Sequence, residues 1–435
     1  MERLILNQLL NWKNSPYRKP LILKGVRQVG KTWIMKTFGQ QYFEKTAYVN
    51  FDNNARMKQV FEGDLDIERL VLAISAETGV SIEAENTLII FDEIQEVPKA
   101  LTSLKYFHEN APQYAIVAAG SLLGVALHQG TSFPVGKVDF LDLYPLNFRE
   151  FLCAMGEKQF VSMLDSCDTQ MVTVFKTKYI ERLREYYFVG GMPEVVKDFS
   201  EKKDYNRVRV IQKNLINYYQ QDFSKHAEIK LVPRLNLVWN SIPMQLAKEN
   251  KKYIYGQVRE GSRAKDFELA IQWLLDCGLI HKVQRIQKPD LPLKAYIDFD
   301  AFKLFLVDIG LLIAMTDLDA KVIIEGNKIF TEFKGALTEQ YILQQLISDV
   351  GVIPYYYSTQ NSKGEIDFLV QGKTSVIPIE VKAEENLKAK SLKAFCEKYQ
   401  PSYAVRTSMS DYREQDWMTN IPLYAVKWIK NYVNQ

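Results

Sequence analysis

The sequence predicts an α/β fold built on a parallel sheet, and three observations support this prediction. A glycine-rich stretch at residues 25–32 directly follows the apolar run 21–23. A second apolar run, 88–91, ends in the acids Asp92 and Glu93. Buried strands alternate with helical stretches through the first part of the chain, which is the pattern of a parallel sheet with helices on both faces.

The glycine-rich stretch reads Gly-Val-Arg-Gln-Val-Gly-Lys-Thr, a phosphate-binding signature. Such a turn between a buried strand and a helix points several backbone N–H groups at one anion, and the helix dipole adds positive potential. We expect Lys31 to reach the β- and γ-phosphates of ATP from an exposed, little-buried position, and the Thr32 hydroxyl to hold Mg²⁺. The predicted nucleotide-binding residues are Gly25, Val26, Arg27, Gln28, Val29, Gly30, Lys31 and Thr32.

Three further residues are the predicted catalytic set, and each follows a predicted strand. Asp92 is expected to support Mg²⁺ through its water shell, and Glu93 to polarise the attacking water. Ser121, after the apolar run 115–119, is the candidate sensor of the γ-phosphate or the lytic water. Ligands of parallel sheets bind at the carboxyl ends of the strands, so these residues and the glycine-rich loop are expected to meet there.

The strands of this sheet are expected at residues 21–24, 46–51, 87–91 and 114–119. From residue 144 the pattern turns helical, and the punctuation at 189–193, Val-Gly-Gly-Met-Pro, breaks two helices. The expected domains are 1–150 for the nucleotide-binding part, 151–230 for a helical extension, 231–315 for a winged-helix-like segment and 316–435 for a C-terminal α/β domain.

Composition excludes several classes of protein. The chain has 435 residues, of which 47% are hydrophobic and 25% charged, as expected of a globular protein with two or three domains. The net charge of +3 gives no bulk argument for nucleic-acid binding, so any such surface must be local. The four cysteines are too scattered for a disulfide framework or a zinc site. Without a signal-like start or a run of 18 apolar residues, we expect a cytoplasmic protein with no membrane span.

Residues 231–287 read as helix, helix and strand, which is typical of a winged helix-turn-helix. An extended piece is expected at 253–256, and Ser262 is expected to cap a helix that ends at Gly278. Arg259, Arg263 and Lys265 would lie near the start of this second helix, where such folds contact DNA. The alternative is that they are ordinary solvated charges on a packing module.

The last hundred residues contain a second group of chemically active side chains. Asp367 is expected on one strand of a hairpin, and Glu380 with Lys382 on one face of the next. Glu339, in a predicted helix, adds a further carboxylate, and carboxylate oxygens suit Mg²⁺. The alternative is a salt-bridged packing of two strands. Pro378 argues against a central position for the second strand.

With these motifs in view, the chain resembles a family of bacterial and archaeal AAA-type P-loop ATPases that carry a C-terminal domain of unknown function. The resemblance spans essentially the whole chain and implies an ATPase core, a winged-helix segment and a C-terminal fold similar to PD-(D/E)xK nucleases of the restriction-endonuclease type. Asp367, Glu380 and Lys382 match the acid and E-x-K positions of that fold. The motifs that carry the resemblance are residues 25–32, 91–95, 120–121, 144–151, 190–194, 306–312 and 364–369.

One departure concerns the arginine that senses the γ-phosphate in related ATPases. Members of the family often have Gly-Arg where this chain has Gly136-Lys137, and lysine supplies a point charge rather than a planar fork. Arg27 and Arg149 are therefore the remaining candidates for an arginine finger, and the alternative for either is an ordinary solvated charge.

Together these features favour an ATP-binding and ATP-hydrolysing switch or motor, with ATP and Mg²⁺ as ligands and its C-terminal module under nucleotide control. DNA is a candidate partner, and a homo-oligomer is expected because AAA-type turnover usually uses an arginine from a neighbouring subunit. Two alternatives stay open: an ATP-gated, metal-dependent nuclease, and a signalling adaptor of the STAND type without nuclease activity.

Overall fold

The computed structural model describes residues 2–120, 134–248, 251–325, 331–359, 364–385 and 389–435. These fall into two compact units, one of residues 2–144 with 276–279 and the other of residues 145–275 with 280–435. In the ranges that the model describes, no helix combines the length and the apolar character needed to cross a membrane.

The first unit contains a wholly parallel sheet in the order β2–β3–β4–β1–β5. Its first four strands lie within one residue of the expected positions, which confirms the predicted α/β fold with a parallel sheet. The edge strand β5 was not expected. The strands are β1 (Leu21–Lys24), β2 (Lys45–Asn50), β3 (Thr87–Asp92), β4 (Ala115–Ala119) and β5 (Asp139–Asp142), and the helices are α1 (Ile5–Lys13), α2 (Lys31–Tyr42), α3 (Ala55–Glu62), α4 (Ile67–Thr78) and α5 (Pro98–Asn110).

Strands β3 and β4 are excluded from solvent, because every residue of both strands is buried. Phe51, Phe61 and Phe91 pack edge to face on one side of it, with ring centroids 5.4–5.8 Å apart. A continuous apolar run that is buried on both faces gives a rigid strand. The rigid strand β3 thereby fixes the position of Asp92, its last residue.

The second unit begins with helices and continues into a mixed sheet flanked by helices. Its helices are α6 (Phe148–Ala154), α7 (Lys158–Asp165), α8 (Thr169–Val174), α9 (Lys176–Val189), α10 (Pro193–Lys202), α11 (Tyr205–His226), α12 (Val232–Leu246), α13 (Tyr255–Val258), α14 (Ala264–Asp276), α15 (Ile309–Met315), α16 (Ala320–Ile324), α17 (Thr331–Gln345), α18 (Lys390–Tyr399) and α19 (Ile429–Val433). The extended piece expected at 253–256 is wrong in part, because α13 begins at Tyr255.

A glycine junction brings together three of the motifs seen in the sequence. A Cβ on Gly191 would lie 2.1 Å from the carbonyl oxygen of Leu146, and one on Gly190 would lie 2.2 Å from Asp308. The Leu146 N–H donates to the Gly191 carbonyl at 2.7 Å, and the Gly191 N–H donates to Asp308 at 2.6 Å. Three distant stretches of chain therefore meet where only glycine fits.

The sheet of the second unit has the order β12–β13–β11–β10–β9–β8–β6–β7. One sheet therefore runs across the limit expected between residues 315 and 316, because β6 and β7 precede that limit and β8 pairs with β6. The strands are β6 (Ile280–Ile286), β7 (Ile297–Leu306), β8 (Tyr355–Ser358), β9 (Glu365–Gln371), β10 (Val376–Val381), β11 (Val405–Ser408), β12 (Arg413–Gln415) and β13 (Met418–Pro422).

The expectation that Pro378 keeps its strand out of the centre is wrong. Strand β10 lies between β9 and β11, and all of its residues are buried. Proline is tolerated because the ladder with β11 begins only at Ile379, one residue after Pro378. The lost N–H donor therefore lies beyond the end of that ladder.

Candidate nucleotide-binding and C-terminal sites

The glycine-rich loop joins β1 to α2 at the carboxyl edge of the parallel sheet. Gly25 has φ 150° and Gly30 has φ 95°, both in the region that favours glycine. A Cβ on Gly25 would also lie 2.3 Å from the carbonyl oxygen of Leu143, so a side chain has no room there. Gln28 adopts φ 64°, a left-handed conformation at the tip of the loop.

Lys31 is buried, so the expected exposed position is wrong. Its side chain turns back under the loop, where the ammonium donates to the carbonyl oxygens of Gly25 at 2.7 Å and Val26 at 3.0 Å. Burial lowers the pKa of Lys31 to about 8, while Glu93 and Asp92 oppose the shift. The ammonium therefore lies against the backbone of the loop that would receive a phosphate.

Asp92 is the centre of a hydrogen-bonded group at the end of β3. Its Oδ2 accepts from the Thr32 hydroxyl at 2.7 Å and from the Tyr48 hydroxyl at 2.9 Å. Its Oδ1 accepts from the backbone N–H of Glu93 at 3.2 Å. Burial raises the pKa of Tyr48, and the neighbouring Asp92 carboxylate raises it further.

Tyr48 belongs to this group, although the sequence analysis missed it. It lies on β2, two residues before Asn50, which pairs with Asp92 across the parallel ladder. Residues two apart in a strand share a face, so Tyr48 points to the side of the sheet on which Asp92 lies. That alternation was the signal in the sequence from which Tyr48 could have been predicted.

Glu93 follows Asp92 in a left-handed conformation with φ 52°. Its Oε2 accepts from the Gln95 side chain at 2.7 Å, a contact that the sequence analysis also missed. Non-glycine residues in this conformation are uncommon and often lie at functional sites. The turn at Glu93 ends strand β3 at Asp92.

This set of donors fits a magnesium–nucleotide complex. The Thr32 hydroxyl and the Asp92 carboxylate supply the hard oxygen ligands that Mg²⁺ prefers. The backbone of residues 25–30 and the ammonium of Lys31 supply the donors that a phosphate needs. Thr32, Lys31, Asp92 and Glu93 lie together at this edge of the sheet.

Ser121, Lys137 and Arg27 were also considered from the sequence. Ser121 falls outside the described residues. Lys137 forms an ion pair with Glu109 at 3.0 Å. Arg27 is half-buried within the glycine-rich loop.

Arg149 is a buried structural residue, so its interpretation as an arginine finger or a solvated charge is wrong. It pairs with Asp165 at 2.5 Å and with Asp349 at 2.9 Å, and only 10% of its side chain is exposed. The guanidinium is already engaged by these two acids, and it cannot reach a phosphate without breaking both ion pairs, including the one with the buried side chain of Asp349.

In the C-terminal sheet, Asp367 and Glu380 lie on adjacent strands. Ile379 pairs with Phe368, so the next residue of β10, Glu380, faces Asp367. The ladder ends there, and the Val381 N–H donates to Asp367 Oδ2 at 2.7 Å instead. Burial, with a contribution from the Glu339 carboxylate, raises the pKa of Asp367 to about 7.

The ion pairs divide these acids between different lysines. Glu380 is buried and pairs with Lys382 at 2.7 Å. Glu339 pairs with Lys251 and with Lys303, neither of which the sequence analysis identified. Over the ranges covered by the structure, no group of three or more His, Cys, Asp or Glu side chains is arranged to hold a metal.

The positively charged residues expected to contact DNA surround the start of α14. Arg259, Arg263 and Lys265 are all exposed. The backbone N–H of Arg263 donates to Asp266 at 2.8 Å, which fixes the first turn of the helix.

Comparison with known proteins identifies the first part of the chain. A family described as an AAA domain matches residues 17–152. Two domains of unknown function match further along, DUF8612 at residues 180–322 and DUF4143 at residues 334–426. A search of curated proteins finds no match. The match at 17–152 identifies an AAA-type P-loop ATPase domain, which confirms that part of the expected resemblance.

Three solved structures are similar to this chain over 72% of its length. A Walker-type ATPase of Pyrococcus abyssi is 14% identical with a TM-score of 0.45, over 95% of that chain. The Orc1 protein of Aeropyrum pernix, in complex with DNA, is 13% identical with a TM-score of 0.28, over 91% of that chain. Cdc6p of Pyrobaculum aerophilum is 11% identical with a TM-score of 0.24, over 92% of that chain.

Proposed function

We propose that the protein is a cytoplasmic AAA-type switch or motor that binds and hydrolyses Mg²⁺–ATP, and that its nucleotide state controls the C-terminal module. One observation carries the proposal: the buried ammonium of Lys31 and the Thr32–Asp92 pair lie together beside a loop in which the Gly25 position has no room for a side chain. This combination supplies a phosphate cradle and a magnesium ligand set in one place.

Each residue of the site would have a distinct role in binding or hydrolysing ATP. Lys31 exchanges the Gly25 and Val26 carbonyls for the β- and γ-phosphate oxygens, which requires it to be protonated. Thr32 and Asp92 would hold Mg²⁺, and the ion would neutralise negative charge on the phosphates. Glu93 accepts a hydrogen bond from the Gln95 side chain, and its carboxylate would orient and polarise the attacking water.

A substitution at Glu93 tests this assignment. We expect Glu93→Gln to bind ATP with nearly wild-type affinity and to hydrolyse it at least about tenfold more slowly, because a general base contributes on the order of 10²–10⁴ in rate. The matched control is Glu96→Gln, which changes an exposed acid three residues further along and should leave turnover unchanged. Normal hydrolysis by Glu93→Gln would place the base elsewhere.

The finer features rest on separate observations. DNA is the proposed partner of the second unit, because Arg259, Arg263 and Lys265 are exposed at the start of a helix that is followed by a β-hairpin. Measuring ATP turnover and fluorescence-detected DNA binding at two salt concentrations, with wild type and with all three residues changed to alanine, tests this partner. Weaker binding of the variant supports it, and equal binding contradicts it.

Two further features concern the C-terminal fold and assembly. We propose a restriction-endonuclease-like core, supported by the antiparallel pair β9–β10 followed by α18 and a strand, β11, that is parallel to β10. We also propose a homo-oligomer, since an arginine from a neighbouring subunit would complete the ATPase site. Light scattering with and without ATP tests the assembly, and a constant monomer would contradict it.

A further inference from the structure

A fully buried lysine lies among the acids of the C-terminal sheet. Lys303, on β7, has no exposed side-chain surface. Its ammonium pairs with Glu365 and lies 3.6 Å from Glu339 Oε2, and it stacks over the Tyr356 ring at 4.8 Å from the centroid. Each side of this ammonium therefore faces an acid or an aromatic ring.

A second lysine completes the group. Lys251, which precedes α13, pairs with Glu339 and has only 12% of its side chain exposed. Asp367 is half-buried and lies in the electrostatic field of both lysines and of Glu339. Two cations thus face three carboxylates, those of Glu339, Glu365 and Asp367.

The charge of a lysine that is buried in this way is costly to remove. Removing one partner of a buried ion pair costs on the order of 3–5 kcal/mol, because the remaining charge is left uncompensated in a dry site. The neighbouring acids raise the pKa of Lys303 in spite of its burial, so it stays charged. Glu339 is therefore occupied on both sides by lysine side chains of the protein itself.

We propose that Lys303 is the permanent cation of this carboxylate cluster, so that the C-terminal module holds no divalent cation there and does not cleave phosphodiesters through Asp367. Positive charge that a nuclease-like fold would take from a metal is supplied here by a side chain from β7. The proposal goes beyond the ATPase function and is independent of it, since none of these residues lies in the nucleotide-binding unit.

Manganese binding to the full-length protein without nucleotide tests the proposal. We expect the wild type and Asp367→Asn to give the same Mn²⁺ isotherm by electron paramagnetic resonance, and neither to cut DNA with Mn²⁺. A saturable wild-type site that is lost in Asp367→Asn, or cleavage that is lost in it, would overturn the proposal. Because nucleotide is omitted, failure here leaves the ATPase assignment untouched.

Removing the internal cation gives the complementary test. Lys303→Met should open the acid cluster, so that it gains about one equivalent of Mn²⁺ that stabilises the folded protein by mass action. The matched control is Lys294→Met at an exposed lysine, which should gain none. A folded Lys303→Met that binds no more Mn²⁺ than this control would contradict the proposal. If Lys303→Met does not fold, the comparison of wild type with Asp367→Asn decides alone.

Discussion

Nucleotide affinity should depend on pH through Lys31. The free protein holds this lysine with a pKa of about 8, because burial disfavours its charge. ATP phosphates bind only the protonated form, and they are already ionised above pH 7. Since the pKa is lowered in the folded protein, the favourable contact is present below pH 8 and is lost as the pH rises through that value. A change of one pKa unit corresponds to about 1.4 kcal/mol, so affinity should fall about tenfold between pH 7 and pH 9.

The assay is the dissociation constant of a fluorescent ATP analogue, measured with Mg²⁺ at pH 7, 8 and 9. The control is Lys31→Arg, whose guanidinium stays charged throughout this range. Its affinity is expected to be weaker at every pH but to vary little with pH. A wild-type affinity that is flat from pH 7 to pH 9, or that rises, would refute the buried position of Lys31 as the cause.

Two further predictions follow from single contacts. Tyr48→Phe removes a donor to the carboxylate at the end of β3, worth about 1 kcal/mol, so turnover should need several-fold more Mg²⁺; an unchanged Mg²⁺ dependence at fixed ATP would contradict this. Gly191→Ala places a Cβ 2.1 Å from a backbone oxygen and should lower the thermal unfolding midpoint sharply or prevent folding. Gly335→Ala, in a helix with no atom within 4 Å of the new Cβ, should instead be neutral or stabilising by up to about 1 kcal/mol. Equal changes in the unfolding midpoint for the two glycine substitutions would contradict a steric clash at Gly191 as the cause.

Local pattern was sufficient to predict the nucleotide-binding unit. The strands at residues 21–24 and 87–92 are short apolar runs bounded by turn residues, and such runs determine both their own conformation and the sheet edge at which they end. Lys31 and Asp92 were therefore placed correctly relative to each other. The burial of Lys31 was not predictable in this way, because it depends on how the loop folds back over its own side chain.

The pairing of strands that are distant in the chain could not be predicted from local sequence patterns. The sequence does not show that β6 pairs with β8, some 70 residues later, since any register between two such strands satisfies the local pattern. Lys303 was not identified from the sequence for the same reason. It is a single lysine in an apolar strand, and its partners Glu339 and Glu365 are distant in the chain. The hairpin carrying Asp367 and Glu380 was predicted because its strands are joined by a short turn.

Mg²⁺-dependent ATP hydrolysis by the purified full-length protein, compared with Lys31→Ala, tests the central claim most directly. Lys31→Ala removes the buried ammonium that contacts the phosphate-binding loop, and we expect the sheet to remain intact. We expect measurable turnover by the wild type, and turnover and most of the nucleotide affinity lost in a variant with an unchanged circular dichroism spectrum. Full ATPase activity in Lys31→Ala would contradict the account.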